Sequence, residues 1–176
     1  NMILVNLVAF LLALLCTSRI KGLGFFRAAY FLPNLIGGLV LGYIWQFIFS
    51  NVVTKFTGTY SMRSDTHTAF IAVIIVYIWQ YAGYMMLIYV AGFMSVSKSL
   101  MEAAQIDGCT QSQSTWYVTV PLMRSSFVQC VFLSITRCFM VYDVNLSLTK
   151  GEPYGSSVMA AMHVYNKAFT YKDYGT

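Results

Sequence analysis

Two acids five residues apart, Glu102 and Asp107, stand in a run of small residues between two long apolar segments. Their loop reads Glu102-Ala103-Ala104-Gln105-Ile106-Asp107-Gly108 and ends in Val118-Thr119-Val120-Pro121. Carboxylates so placed can make charge-assisted contacts with a basic partner. Covalent chemistry would ask for more: a nucleophile with its base, a carboxylate dyad, a metal cluster or a phosphate-cradling Gly-rich loop. None is visible in the sequence. His67 and His163 are isolated and read as surface histidines. Cys16, Cys109, Cys130 and Cys138 have neither ligand nor disulfide spacing, and three of them read as small hydrophobes in or beside apolar segments.

The elements that carry these residues follow from composition. Of 176 residues, 58% are hydrophobic and only 10% charged, with a mean hydropathy of +0.64. A soluble domain carries about 25% charged residues, and here the apolar residues come in blocks. The chain therefore reads as all-α, a polytopic membrane helical bundle. The 11 basic residues behind the net charge of +5 are dispersed. They mark loops and orientation rather than a nucleic-acid surface.

A crossing helix needs about 20 mostly apolar residues. The expected spans are residues 2–17, 28–49, 69–94 and roughly 126–148, the first of them short. Arg19, Lys21 and Arg27, with no acid among them, place the first loop in the cytoplasm. Alternation then puts residues 50–68 outside, the loop with Glu102 and Pro121 inside, and residues 151–176 outside. Trp45, Phe47, Phe49 and Tyr60 are the expected aromatic anchors where the second span exits. Pro33-Asn34 predicts a kink in that span, and Gly38 with Gly42 predicts close helix packing. Val158, Met162, Tyr165 and Phe169 recur at helical spacing, which predicts an amphipathic helix at the outer surface or the lead-in to another span. Asn1 opens directly on an apolar segment, so no signal peptide is expected and the chain reads as part of a longer polypeptide.

Within the inner loop, Ser99-Leu100-Met101-Glu102 has the form of a capping box, which would explain Glu102 with no partner at all. Ala103 and Ala104 leave a thin helical surface that a groove could accept. Gly108 supplies the left-handed residue that stops the helix. Asp107 opposes the macrodipole there, so it either caps the next helix or meets a cation elsewhere. Residues 110–113 offer a second capping signal, and Trp116, Tyr117 and Val118 give the following helix an apolar face.

Glu102 to Pro121 resembles the EAA loop of permease subunits of binding-protein-dependent ABC importers. Arg27-Ala28-Ala29-Tyr30-Phe31-Leu32-Pro33, Gly42-Tyr43-Ile44-Trp45, Tyr84-Met85-Met86 and Leu148-Thr149-Lys150-Gly151-Glu152-Pro153 are similar to the sugar-transport branch. Val118, Val120, Cys109 and Glu152 depart from the common pattern without breaking it. The resemblance implies a type I ABC importer permease fold with a six-helix pattern. Residues 1–176 would be a single, partial transmembrane domain with about four to five of those spans, and residues 97–123 its cytoplasmic coupling loop. It further implies a multi-pass protein of a bacterial or archaeal plasma membrane that carries a carbohydrate. The expected partners are a cytoplasmic ABC ATPase dimer, a second permease (a paralogue in this reading), an extracellular or periplasmic solute-binding protein and the lipid bilayer. This chain itself would bind no cofactor and hydrolyse nothing; ATP and Mg would belong to the ATPase. Glu102, Ala103, Ala104, Asp107, Gly108 and Pro121 are the implied coupling residues.

For the solute path the candidates are Tyr77, Tyr81, Tyr84, Arg137, Cys138 and Val141. The tyrosines share spacing compatible with one face, where rings stack on sugars and hydroxyls exchange hydrogen bonds. They serve equally as packing residues. Arg137 lies mid-span, where a charge costs at least ~2.5 kcal/mol, so it should face the bundle interior or a watery cavity. It either pairs with Asp143 or a partner permease, or meets an acidic or strongly polar solute such as a uronate oligosaccharide. A permease for another solute (an amino acid or phosphonate) would share the loop and lose the sugar-like flanks. A channel or receptor fragment would make the loop pattern accidental.

Overall fold

The computed structural model describes residues 1–17, 23–53, 55, 66–152 and 154–172. Expectations that rest on Arg19, Lys21, Tyr60 and Pro153 lie outside the described residues.

Helix α1 (Met2–Thr17) buries Val5, Ala9, Ala13 and Cys16, a stripe with helical spacing made of small side chains. Ile3, Leu7, Leu11 and Leu15 remain exposed on its other sides. A helix that is apolar all round, with one face packed, suits a lipid surrounding. Its stripe lies along helix α4 (Thr66–Ser95), the central strut of the molecule. At 1.5 Å per residue α4 is about 45 Å long, more than the ~30 Å hydrocarbon layer requires. Among the described residues α4 is the one helix long and apolar enough to cross by itself. Two bent helix pairs, Leu23–Leu35 with Gly38–Val52 and Gln111–Leu122 with Arg124–Phe139, add a crossing each when both halves are taken as one broken span.

The first bent pair corrects the expected span over residues 28–49. Helix α2 (Leu23–Leu35) runs straight through Pro33, and helix α3 (Gly38–Phe47) leaves at 100° to it, continued by a π-helical turn Ile48–Val53. The kink predicted at Pro33-Asn34 is thus a full break three residues later, where Gly37 adopts φ −57°, ψ 139°. Glycine is the weakest helix former after proline, and the Gly37-Gly38 doublet gives way where the proline ring does not. Arg27, counted above as a loop charge, instead donates through Nη2 to the Cys16 carbonyl at 2.8 Å, closing the end of α1.

The expected span over residues 126–148 is also two helices. Helix α8 (Arg124–Phe139) stops at Met140, and helix α9 (Asp143–Leu148) starts anew. An acid in the first turn complements the helix dipole, so Asp143 favours a fresh start. Helix α9 lies against α3, where Gly38 and Gly42 admit it. A methyl group on Gly38 would stand 2.9 Å from Asp143 Cβ, and one on Gly42 would collide with Ser147. The predicted close packing is therefore present, with α9 as its partner. Two apolar clusters result, one uniting α1, α4 and α8, the other α3, α4 and α9.

A polar clamp crosses the first cluster. Asn6 Nδ2 donates to Ser134 Oγ at 2.9 Å, and Tyr89 donates its hydroxyl to Asn6 Oδ1 at 2.9 Å. Such interhelical bonds within bilayers contribute on average about 0.6 kcal/mol each. At the other end, Thr149 donates to Asn145 Oδ1 at 2.8 Å and accepts from Ser157 at 2.9 Å. That network braces the turn in which Lys150 has φ 55° and Gly151 φ 85°.

Three short helices follow α4: α5 (Lys98–Ile106), α6 (Gln111–Ser114) and α7 (Val120–Leu122), the last two joined by a π-helical turn Thr115–Thr119. Near the C-terminal end, α10 (Ala160–Tyr165) continues into a π-helical turn Asn166–Thr170 with Met162 buried. His67 and His163 are exposed.

Candidate functional site

Two places gather the residues singled out in the sequence. The first is the loop of α5 to α7. Ser97, with φ −65° and ψ 138°, occupies the N-cap position, two residues before the expected cap, Ser99. The capping box built on Ser99 and Glu102 is therefore not formed: no side chain caps this helix, and Ser99 Oγ lies 3.1 Å from Ser97 Oγ. Glu102 falls five positions past the cap, beyond reach of the cap amide. It is exposed, with no hydrogen bond or ion pair to any described residue.

The end of α5 forms as the sequence predicts. Gly108 has φ +89°, its amide donates to Gln105 O at 3.1 Å, and the Cys109 amide donates to Ala104 O at 3.0 Å. These two bonds define a Schellman stop, which needs a left-handed residue at that point. Thr110 and Gln113 then close a reciprocal capping box on α6. Asp107 ends α5 with an exposed side chain rather than capping α6. The outward surface presents Glu102, Ala103, Ile106 and Asp107, with Ile106 86% exposed. Ala104 is buried, and Pro121 is exposed within α7. Trp116 reaches back to Phe10 of α1, ring centroids 6.0 Å apart, where Phe10 also meets Phe93 and Phe127. The loop that carries this acid-and-apolar surface is thus joined through Trp116 and Phe10 to α1, α4 and α8.

The second place is a cleft of about 390 Å³ at the break between α2 and α3, opposite the junction of α8 and α9. Tyr81, Arg137, Val141 and Asp143 line it together with Asn34 and Gln80. Arg137 stands over the Tyr81 ring, 5.5 Å from its centroid, and makes no ion pair with Asp143. Pairing with Asp143 is therefore excluded as the arrangement that holds Arg137. Tyr77 packs against Tyr81 at 4.7 Å, but it is buried, and its hydroxyl lies 3.4 Å from Cys138 Sγ. Tyr77 and Cys138 support the wall rather than line it. Tyr84 is not part of this cleft; it faces a separate groove with Phe31, Ser125 and Gln129.

Gln80 and Asn34 escaped the sequence reading. Gln80 is 5% exposed, and its Oε1 is buried without a hydrogen-bond partner among the described residues. Its signal was available, since it is a carboxamide in the middle of an otherwise apolar run, between Trp79 and Tyr81.

With this geometry the comparisons with known proteins agree. The chain belongs to the family of binding-protein-dependent transport system inner membrane components, whose model matches residues 6–171. It is 38% identical over 96% of its length to a probable starch degradation products transport system permease protein, AmyD, of Thermoanaerobacterium thermosulfurigenes, covering 60% of that protein. It is 31% identical over 90% of its length to the multiple sugar-binding transport system permease protein MsmF of Streptococcus mutans, covering 57% of it. The chain thus spans a little over half the length of these relatives. Its fold matches the crystal structure of a bacterial ABC transporter involved in the import of the acidic polysaccharide alginate, with a TM-score of 0.82 at 19% identity. That match covers 95% of this chain and 62% of the other. The all-α permease fold is established by this match, and the protein is a membrane protein by family.

Proposed function

We propose that this chain is the membrane-spanning part of a permease subunit in an ATP-driven carbohydrate importer. The observation that carries the proposal is the exposed, uncapped Glu102 on a helix with a fixed end, α5, whose loop is tied to the bundle through Trp116 and Phe10. A carboxylate with no role in its own helix is available to a basic group in a cytoplasmic ATPase. ATP and Mg are held by that ATPase, and this subunit catalyses no reaction. Closure of the ATPase dimer moves α5 as a rigid body, and the aromatic contacts pass the motion to α1, α4 and α8. The coupling is the difference in contact free energy between two bundle arrangements.

The carbohydrate assignment is supported by the named relatives, which handle starch degradation products and multiple sugars, and by the polar cleft beside the α2–α3 break. A soluble binding protein delivers the solute from outside, and a paralogous permease completes the path. Affinity purification of the full-length protein from its own membranes tests this. A soluble ATPase and a second permease are expected in the eluate, and vesicles holding all three should take up a labelled oligosaccharide only with ATP inside. A purified chain without an ATPase, or uptake without ATP, would favour a channel instead.

A further inference from the structure

We infer that the cleft at the α2–α3 break binds an uncharged, polyhydroxylated solute, with Arg137 and Asp143 both hydrogen-bonding its hydroxyls. The inference rests on the carbohydrate reading above and narrows it. Arg137 and Asp143 line the same cleft, yet they form no ion pair, and the guanidinium is held over the Tyr81 ring. Each keeps hydrogen-bonding capacity for a third party. The Arg137 guanidinium offers five N–H donors and no acceptor. Asp143 opens α9, and its carboxyl group supplies hydrogen-bond acceptors. The cleft therefore carries one basic and one acidic side chain.

That pairing selects by charge. A carboxylated or phosphorylated solute is attracted by Arg137 and repelled by Asp143, so it gains little. A neutral polyol uses both, giving hydroxyl protons to the carboxylate and accepting from the guanidinium. Gln80 is the independent sign that something binds here. Its side chain is 5% exposed at the cleft wall, and Oε1 has no donor among the described residues. A buried carbonyl oxygen left unpaired is costly, and a solute hydroxyl is the donor it lacks. The volume, about 390 Å³, falls in the range of about 300–1,000 Å³ common for small-molecule pockets.

The test is direct binding to the purified full transporter without its soluble binding protein, by calorimetry with maltotriose as the neutral probe and trigalacturonate as the acidic one. Maltotriose should bind at least about tenfold more tightly, and Gln80→Leu should weaken it by about tenfold, the loss of one well-made polar contact. Because Gln80 is buried, Gln80→Leu can also disturb folding; Asp143→Asn changes an exposed side chain and keeps the question open to a clean answer. That variant should raise trigalacturonate affinity by about tenfold and narrow the preference. A wild type that prefers the uronate, or a preference that Asp143→Asn leaves unmoved, overturns the inference while the carbohydrate reading stands. Binding of neither trisaccharide would contradict both.

Discussion

Glu102→Lys should reduce ATP-driven uptake on the order of a hundredfold while the chain still inserts and assembles. Removing one member of a desolvated charge pair at an interface costs ~2–5 kcal/mol, and placing a like charge against a basic cleft adds repulsion. What makes the experiment clean is that Glu102 does not cap its own helix. The cap position belongs to Ser97, and Glu102 makes no hydrogen bond or ion pair with a described residue. A lysine there is a good helix former, so α5 and its Schellman stop should persist. Uptake in reconstituted vesicles reads the effect, and ATP hydrolysis in the same vesicles should lose its response to solute. Unchanged uptake would mean that Glu102 serves no docking role, since a structural role has already been removed by the geometry.

The second large effect is expected at Gly83, in the middle of α4. A methyl group there would collide with the carbonyl of Tyr30 and lie 3.0 Å from the Phe31 amide nitrogen. These are backbone atoms of α2, which cannot rotate aside as a side chain can. Gly83→Val should therefore separate α2 from α4 and displace the α2–α3 break with it. Overpacking in a tight core costs ~1–3 kcal/mol and sometimes more, and an obstacle of main-chain atoms puts this case at the upper end. A denaturant or thermal midpoint in detergent should fall steeply, with expression falling too. Gly24→Ala is the contrast, since among the described residues nothing lies within 4 Å of the added methyl. Replacing a helical glycine there should stabilise by about 0.5–1 kcal/mol. Equal behaviour of the two variants would contradict the close α2–α4 approach.

What the sequence made legible was local. The stop at Gly108 and the box of Thr110 and Gln113 depend only on neighbours in the chain, and both formed as read. The Ser99 cap failed because Ser97, two residues earlier, takes the N-cap position, without a side-chain bond to the helix. The long apolar runs misled, because composition does not distinguish one straight helix from two bent ones. Residues 28–49 and 126–148 each break, and the breaks answer each other: α9 fits onto α3 only because Gly38 and Gly42 leave room for it. Tyr77, Tyr81, Arg137, Cys138 and Val141 converge because α4 and α8 run side by side. Tyr84, two turns from Tyr77, turns to another groove. Gln80 was overlooked because a single amide scarcely alters the hydropathy of its segment, although its burial gives it consequence.

The account as a whole depends on the exposed face of α5 lying in the cytoplasm beneath an ATPase. Thiol labelling of Ile106→Cys in a Cys109→Ser background, on right-side-out vesicles of the assembled transporter, tests this most directly. Ile106 is 86% exposed on that face. A membrane-permeant maleimide should label it when the ATPase has been stripped away and fail when the ATPase is restored, and an impermeant maleimide should never reach it from outside. Labelling by the impermeant reagent, or labelling that the ATPase does not alter, would contradict the account.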